Sequence, residues 1–420
     1  MRKRMEILPN VFLSATQTDK FKTGTCSISF LRPLTDLEAS CDGLIMRVLL
    51  QGSKRCPDMR SMSLALDALY GSELSDVVRK KGEVLTIGLL ADYIEDQFVS
   101  DTVFANVIDL MAEVLLDPVL ENGAFRSEYV EREKENVCNE LCARINSKRT
   151  YAVTQMIRAM CSGEAYSVDK FGSEETVSRQ TAQSLYAHYL QMLSSSRIEI
   201  CYLGRLDADT VAEQLRKSFA ALPRGEVVSV STEPNPAVGS VREVSESLDV
   251  TQGKLCMGFR ISKTANDPDW ASVLLMNTVY GSGVTSKLFL NVREKLSLCY
   301  YAASALEKFK GIMLVDSGVD FSNFDAAKSE ILHQLEDCKS GNITEEELAL
   351  ARKNLISRWK SALDSPGQID EFYLGQAILG SESTMEDMIE RIECVTMDDV
   401  VSAANCLTLD TVYFLKGTNA

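Results

Sequence analysis

The sequence predicts a two-domain α+β protein in which each domain carries a mostly antiparallel sheet covered by helices. Three observations lead there. A chain of 420 residues is too long for one ordinary core, since domains cluster near ~100 to 200 residues. The two halves repeat one coarse order of elements: an extended start, a helix, paired strands, long amphipathic helices and a closing strand. Between them, residues 223–240 take on linker composition, with Pro223, Gly225, Pro234, Pro236 and Gly239. The expected division is an N-terminal domain over 1–222 and a C-terminal domain over 241–420.

In the first half, residues 22–31 alternate apolar and polar side chains as a strand does, and 37–50 place Leu44, Met46, Val48, Leu49 and Leu50 at helical spacing. A second helix follows over 61–70, with Gly71 as its stop. Residues 73–79 and 83–91 read as an antiparallel pair, with Lys80, Lys81 and Gly82 as the turn. Helices are expected over 98–116, which ends at Asp117 and Pro118, and over 123–149, a long stretch rich in Glu and Arg. Shorter helices follow over 151–160, 172–179 and 181–193. The half closes with a strand over 196–204 and a helix over 206–222.

The second half opens with a strand over 252–260 and a helix over 270–280. Residues 298–306 and 312–319 read as paired strands joined by a turn over 308–311, and 324–339 and 344–363 as long amphipathic helices. Thr344 and Glu347 form a capping box, in which hydroxyl and carboxylate satisfy free backbone donors. A strand over 411–415 completes the pattern.

Composition narrows the function classes. Hydrophobic residues at 45% and charged residues at 25% are ordinary for a packed globular chain. A net charge of -16 argues against nucleic acid as partner, because phosphate binding needs clustered Lys and Arg. A basic peptide or a complementary protein surface suits it better. No run reaches the ~18 apolar residues of a membrane span, and the basic start lacks the apolar core of a secretory signal. The twelve cysteines show no CxxC pair, so they are expected as reduced, buried thiols of a cytoplasmic protein. Cys138 and Cys142, one helical turn apart, are expected to face a core.

The clearest functional signal is the stretch GSGVTSKLFLNVREKLSLCYY over residues 281–301. Gly281 and Gly283 permit a close-approach loop, and Thr285 or Ser286 can cap a helix with Leu288, Phe289 and Val292 on its apolar face. In the strand that follows, Leu298, Tyr300 and Ala302 share one face, and Cys299, Tyr301 and Ala303 the other. Of the polar side chains in this stretch, the Arg293 guanidinium is a fork of donors and the Tyr300 phenol a single donor. Neither hydrolyses an amide alone. This stretch resembles the C-terminal-half signature of the insulinase-like M16 zinc peptidases, and the likeness runs from Pro9 to the strand at 411–415, through Gly52 and Ser53, Tyr166 with Gly172, and Gly204. It implies two homologous M16/LuxS-like metallohydrolase-type domains forming a clam-like half-shell, with Arg293 and Tyr300 as substrate-binding residues.

Active members of that family carry His-x-x-Glu-His in the N-terminal half. Two imidazoles one turn apart hold zinc, the Glu activates bound water, and a distant Glu is the third ligand. This chain has two histidines, His188 and His333, so the motif is absent. Counted back from Gly52 and Ser53, Gly43 and Arg47 stand where the imidazoles would, and Met46 where the general base would. Glu133 and Glu140 keep the spacing of the family's paired glutamates, but without imidazoles they read as solvated carboxylates two helical turns apart. Cys41, Asp42 and Glu140 make no substitute site, because adjacent positions diverge around a helix, and both histidines are expected as packed or surface residues.

The resemblance therefore implies a silent subunit with no catalytic residue, metal or cofactor of its own. Zinc is expected only in its partner, an M16 homologue carrying His-x-x-Glu-His, to which this chain would lend Arg293 and Tyr300 for proteolysis of peptides or small proteins. The alternative is a peptide-binding or scaffold protein with no role in hydrolysis, as the core subunits of respiratory complexes are in the same fold. What separates the two is whether Arg293 and Tyr300 face open space or a packed core.

Overall fold

The computed structural model describes residues 2–418. The strands are β1 (Arg2–Leu8), β2 (Val11–Gln17), β3 (Thr23–Pro33), β4 (Glu73–Lys81), β5 (Val84–Ile94), the two-residue β6 (Leu120–Glu121) and β7 (Ala124–Phe125), β8 (Arg197–Gly204), β9 (Arg242–Leu248), β10 (Gly253–Ile261), β11 (Cys299–Glu307), β12 (Ile312–Val319) and β13 (Leu407–Gly417). The α-helices are α1 (Asp36–Leu49), α2 (Met59–Ala68), α3 (Val103–Leu116), α4 (Ser127–Ala143), α5 (Lys148–Met160), α6 (Glu174–Ser178), α7 (Ala182–Ser195), α8 (Ala208–Ser218), α9 (Trp270–Tyr280), α10 (Phe324–Lys339), α11 (Glu345–Ala362), α12 (Pro366–Leu379), α13 (Met385–Cys394) and α14 (Met397–Asn405).

The chain forms two compact units that are not uninterrupted stretches. One comprises residues 1–142, 168–231 and 366–378, the other 143–167, 232–365 and 379–420. The expected division at 223–240 contains the crossover near 231, but α5 lies in the second unit and α12 in the first.

The first unit is built on a six-stranded sheet of order β1-β2-β8-β3-β5-β4, antiparallel throughout except for the β2–β8 pair. Helices α1 and α3 pack on β5, with α7 against α1 and α8 against α3. In α12 the Asp370 carboxylate accepts from the Ser27 hydroxyl of β3 and, at 3.3 Å, from Arg79 of β4. Burial pushes that carboxyl above its usual range. Sequence periodicity does not reveal α12, because apolar residues surround it: Ile369, Phe372, Tyr373, Leu374 and Ala377 are all buried.

In the second unit the sheet runs β11-β12-β10-β13-β9, again antiparallel with one parallel pair, β13–β9. Strand alternation turns Leu255, Met257 and Phe259 of β10 into a core with α9, α10, α11 and α14. The opposite face, with Cys256, Ile312, Tyr413 and Leu415, is covered by Ala152, Met156 and Met160 of α5. Gly258 makes that contact possible, since a Cβ there would lie 2.5 Å from the Met160 sulfur.

Two expectations need correcting. The charged stretch 123–149 is not one helix: α4 ends at Ala143, a 3-10 turn covers Arg144–Asn146, and α5 starts anew at Lys148. Cys138 is only partly buried and Cys142 is exposed, so neither completes a core. Both sit on a charged helix whose buried face is Tyr129, Val130, Glu133 and Val137.

Candidate functional site

Three backbone irregularities within 13 residues present Arg293 and Tyr300. Residues Leu288–Lys295 form a π-helix rather than the expected α-helix, a rare geometry that recurs at functional sites. Just before it, the Ser286 hydroxyl accepts from the Phe289 N–H at 3.4 Å, and Lys287 is its N-cap, without a side-chain capping bond. Leu288 and Val292 anchor it in the core, and the Arg293 guanidinium stands outside, over the Phe289 ring at 4.7 Å and 3.4 Å from Glu294. Ser297 follows in the left-handed region at φ 52°, a conformation costly for any residue with a Cβ.

A β-bulge then falls on Tyr300. Cys299 pairs with Val319 and Tyr301 with the next residue, Gly318, so Tyr300 is the unpaired extra residue. Simple alternation, which placed Tyr300 and Ala302 on one face, fails at this point. Cys299 and Ala302 both enter the core, and Tyr300 is ejected with 58% of its surface exposed. Bulges re-aim side chains beside functional sites in this way. The Tyr300 hydroxyl donates to Asp320 at 3.1 Å, and that hydrogen bond pushes the phenol above its ordinary value. The phenol therefore keeps its proton, the form that can donate. Val284, Leu290 and Leu296 are also exposed on this segment.

The other sequence-derived positions lie in the first unit, on α1 and α4. Met46 is wholly buried, an apolar residue where a general base would have to meet water. Arg47 pairs with Glu140 and stacks 4.6 Å over the Phe171 ring. Glu133 is buried, not solvated as expected: its two oxygens accept from Gln51 at 2.7 Å and Asn136 at 3.1 Å. A cation and amides thus occupy both retained carboxylates, and no imidazole reaches them. These residues do not fit a zinc centre.

A second polar cluster in this unit escaped the sequence reading. Arg32, 1% exposed, donates to Asp42 at 3.3 Å, to Ser195 at 3.1 Å and to Glu38, while His188 lies 2.8 Å from Asp42 and 3.5 Å from Glu38. Among the described residues, Glu38, Asp42 and His188 are the one set with metal-ligand chemistry grouped within 4.8 Å. Arg32 already supplies their cation, so the arrangement is a buried ion network. Glu38 and Asp42 share a face of α1, a legible signal, but His188 arrives from α7, far along the chain. Cys41 does not join Asp42 and Glu140: it is buried, and desolvation pushes its thiol up to about 12. His333 is a surface residue 3.9 Å from Asp337.

Fold and site together define a class: a two-unit α+β scaffold of the metallopeptidase type, with a presented Arg and Tyr and no imidazole on α1. Residues 179–355 match the Peptidase M16 inactive domain family. "Probable inactive metalloprotease YmfF" of Bacillus subtilis (strain 168) is 33% identical over 404 residues, covering 96% of this chain and 95% of that protein. The crystal structure of a conserved protein from Enterococcus faecalis V583 superposes with a TM-score of 0.92 at 27% identity, covering 100% and 99% of the two chains. A protease from Helicobacter pylori shares the fold at a TM-score of 0.84 and 14% identity, over 99% of each chain. The chain belongs to the peptidase M16 family, as an inactive-type member.

Proposed function

We propose that this protein is the non-catalytic subunit of a zinc-dependent M16 endopeptidase pair, working in the cytoplasm beside a homologue that carries His-x-x-Glu-His. In this reading Arg293 holds a peptide carbonyl or carboxylate with its guanidinium fork. Tyr300 turns its hydroxyl from Asp320 to the oxyanion that develops at the scissile carbonyl. Bond cleavage belongs to the partner, because α1 carries no imidazole and its would-be base is a buried methionine. The substrate is a peptide or small protein, with neither nucleic acid nor membrane involved.

One observation carries the reading. Tyr300 is thrown out of the ladder into solvent, although Cys299 and Ala302 on either side of the bulge both enter the core. A phenol kept for packing would lie where Ala302 does. The test is peptidase activity and bound zinc for the purified chain, for its His-x-x-Glu-His homologue, and for the mixture. Activity confined to the mixture supports the pair. Equal activity from the homologue alone would transfer the weight to a peptide-binding or scaffold role.

A further inference from the structure

The zinc position of the family is not merely stripped of ligands in this chain but filled. Residues 169–173 are clamped onto α1 at several points. The Ser173 N–H donates to the Ser40 hydroxyl at 3.3 Å, and the Ser173 hydroxyl donates to Asp36 at 3.0 Å. Gly172, at φ 65°, allows this approach, since a Cβ there would lie 2.0 Å from the Ser40 oxygen and 2.6 Å from the Asp36 carbonyl. The clamp drives the Phe171 ring, 2% exposed, onto Gly43: a Cβ at 43 would meet ring carbon Cδ1 at 2.6 Å. Arg47 then stacks on the same ring and neutralises Glu140.

We infer that Phe171 and Arg47 replace the metal centre as a packed cation–aromatic plug, and that Phe171 is the residue that closes it. Glycine at 43 is required by the ring. Arg47 supplies the positive charge that Glu140 needs, so α1 and α4 stay tied without an ion. The site is closed by shape as well as by ligand loss, and restoring the ligands leaves it closed.

Two measurements test this. In the first, Gly43→Ala is made with Phe171 intact and in a Phe171→Ala background, and the unfolding temperatures are compared. Helix propensity alone favours Ala over Gly inside a helix, so the sign decides. With Phe171 present, Gly43→Ala lowers the unfolding temperature by roughly 2 °C or more; with Phe171→Ala it raises it. Stabilisation by Gly43→Ala in both backgrounds overturns the inference. In the second, Gly43→His/Met46→Glu/Arg47→His is loaded with zinc, with and without Phe171→Ala, and the metal retained is quantified. The variant keeping Phe171 binds zinc about 10- to 100-fold more weakly. Equal retention in both overturns the inference, and if the ligand-restored variants fail to fold, the Gly43→Ala comparison decides alone.

Discussion

Replacing Arg32 by methionine keeps most of the side-chain volume and removes the charge together with the N–H donors. The consequence follows from what surrounds it. Asp42 is 0% exposed and Glu38 is half-buried, and Arg32 donates to both. Without the guanidinium, two carboxylates are left with the His188 ring as the neighbour they share. Breaking a buried pair by removing one partner costs about 3–5 kcal/mol, because the remaining charge keeps its desolvation penalty. That corresponds to roughly a 100- to several-thousand-fold rise in the hydrogen-exchange rate of amides whose exchange requires α1 and α7 to open. The chain's two tryptophans, Trp270 and Trp359, both lie in the second unit, so tryptophan fluorescence serves as an internal control and stays native in Arg32→Met. Adding Asp42→Asn restores most of the protection, since it removes the charge that was stranded. A rise of less than about tenfold in Arg32→Met would refute the view that this network carries unit stability.

Ser297→Gly removes the left-handed strain between Arg293 and Tyr300, and is expected to stabilise the second unit by a net of about 0.5–1 kcal/mol after the flexibility of glycine is counted; urea unfolding followed by tryptophan fluorescence reads it, and a loss of stability would contradict the strain. Burial raises the Asp370 carboxyl, so the folded chain binds that proton more tightly than the unfolded chain does. This group's contribution to stability therefore falls as pH rises from about 4, the ordinary Asp value, through the raised folded value. Asp370→Asn removes that slope and raises stability at neutral pH, as the urea midpoint by far-UV circular dichroism at several pH values would show; an unchanged slope would place the charge cost elsewhere. Tyr300→Phe loses one exposed hydroxyl and leaves the urea midpoint at the wild-type value; a clear drop would mean that the Asp320 contact is structural.

Regular elements were legible in the sequence because their patterns are local. The hairpin of β4 and β5 turns at Gly82, at φ 58°, where the punctuation placed it, and the Thr344–Glu347 capping box opens α11 as its spacing requires. The mixed α+β class followed from such signals, and the M16 likeness from the motif over residues 281–301. What was not legible depends on contacts distant in sequence or on broken periodicity. The helix α12 carries no polar stripe, so nothing marks its face. Arg293 and Tyr300 could be named from the motif, but their presentation relies on a π-helix, a left-handed serine and a bulge, each a departure from the regular period. The plug at Gly43 was hidden for another reason: Phe171 lies 128 residues away, and only the clamp at Gly172 and Ser173 brings it to α1.

The central claim is that this chain lends Tyr300 to another chain's chemistry. The most direct measurement is the peptidase turnover of the pair reconstituted with Tyr300→Phe, beside wild type and with assembly checked by co-elution. Loss of one preorganised donor to an oxyanion costs about 10²- to 10³-fold in kcat. The account predicts a loss of that size with assembly and stability unchanged; wild-type turnover from the Tyr300→Phe pair would contradict it.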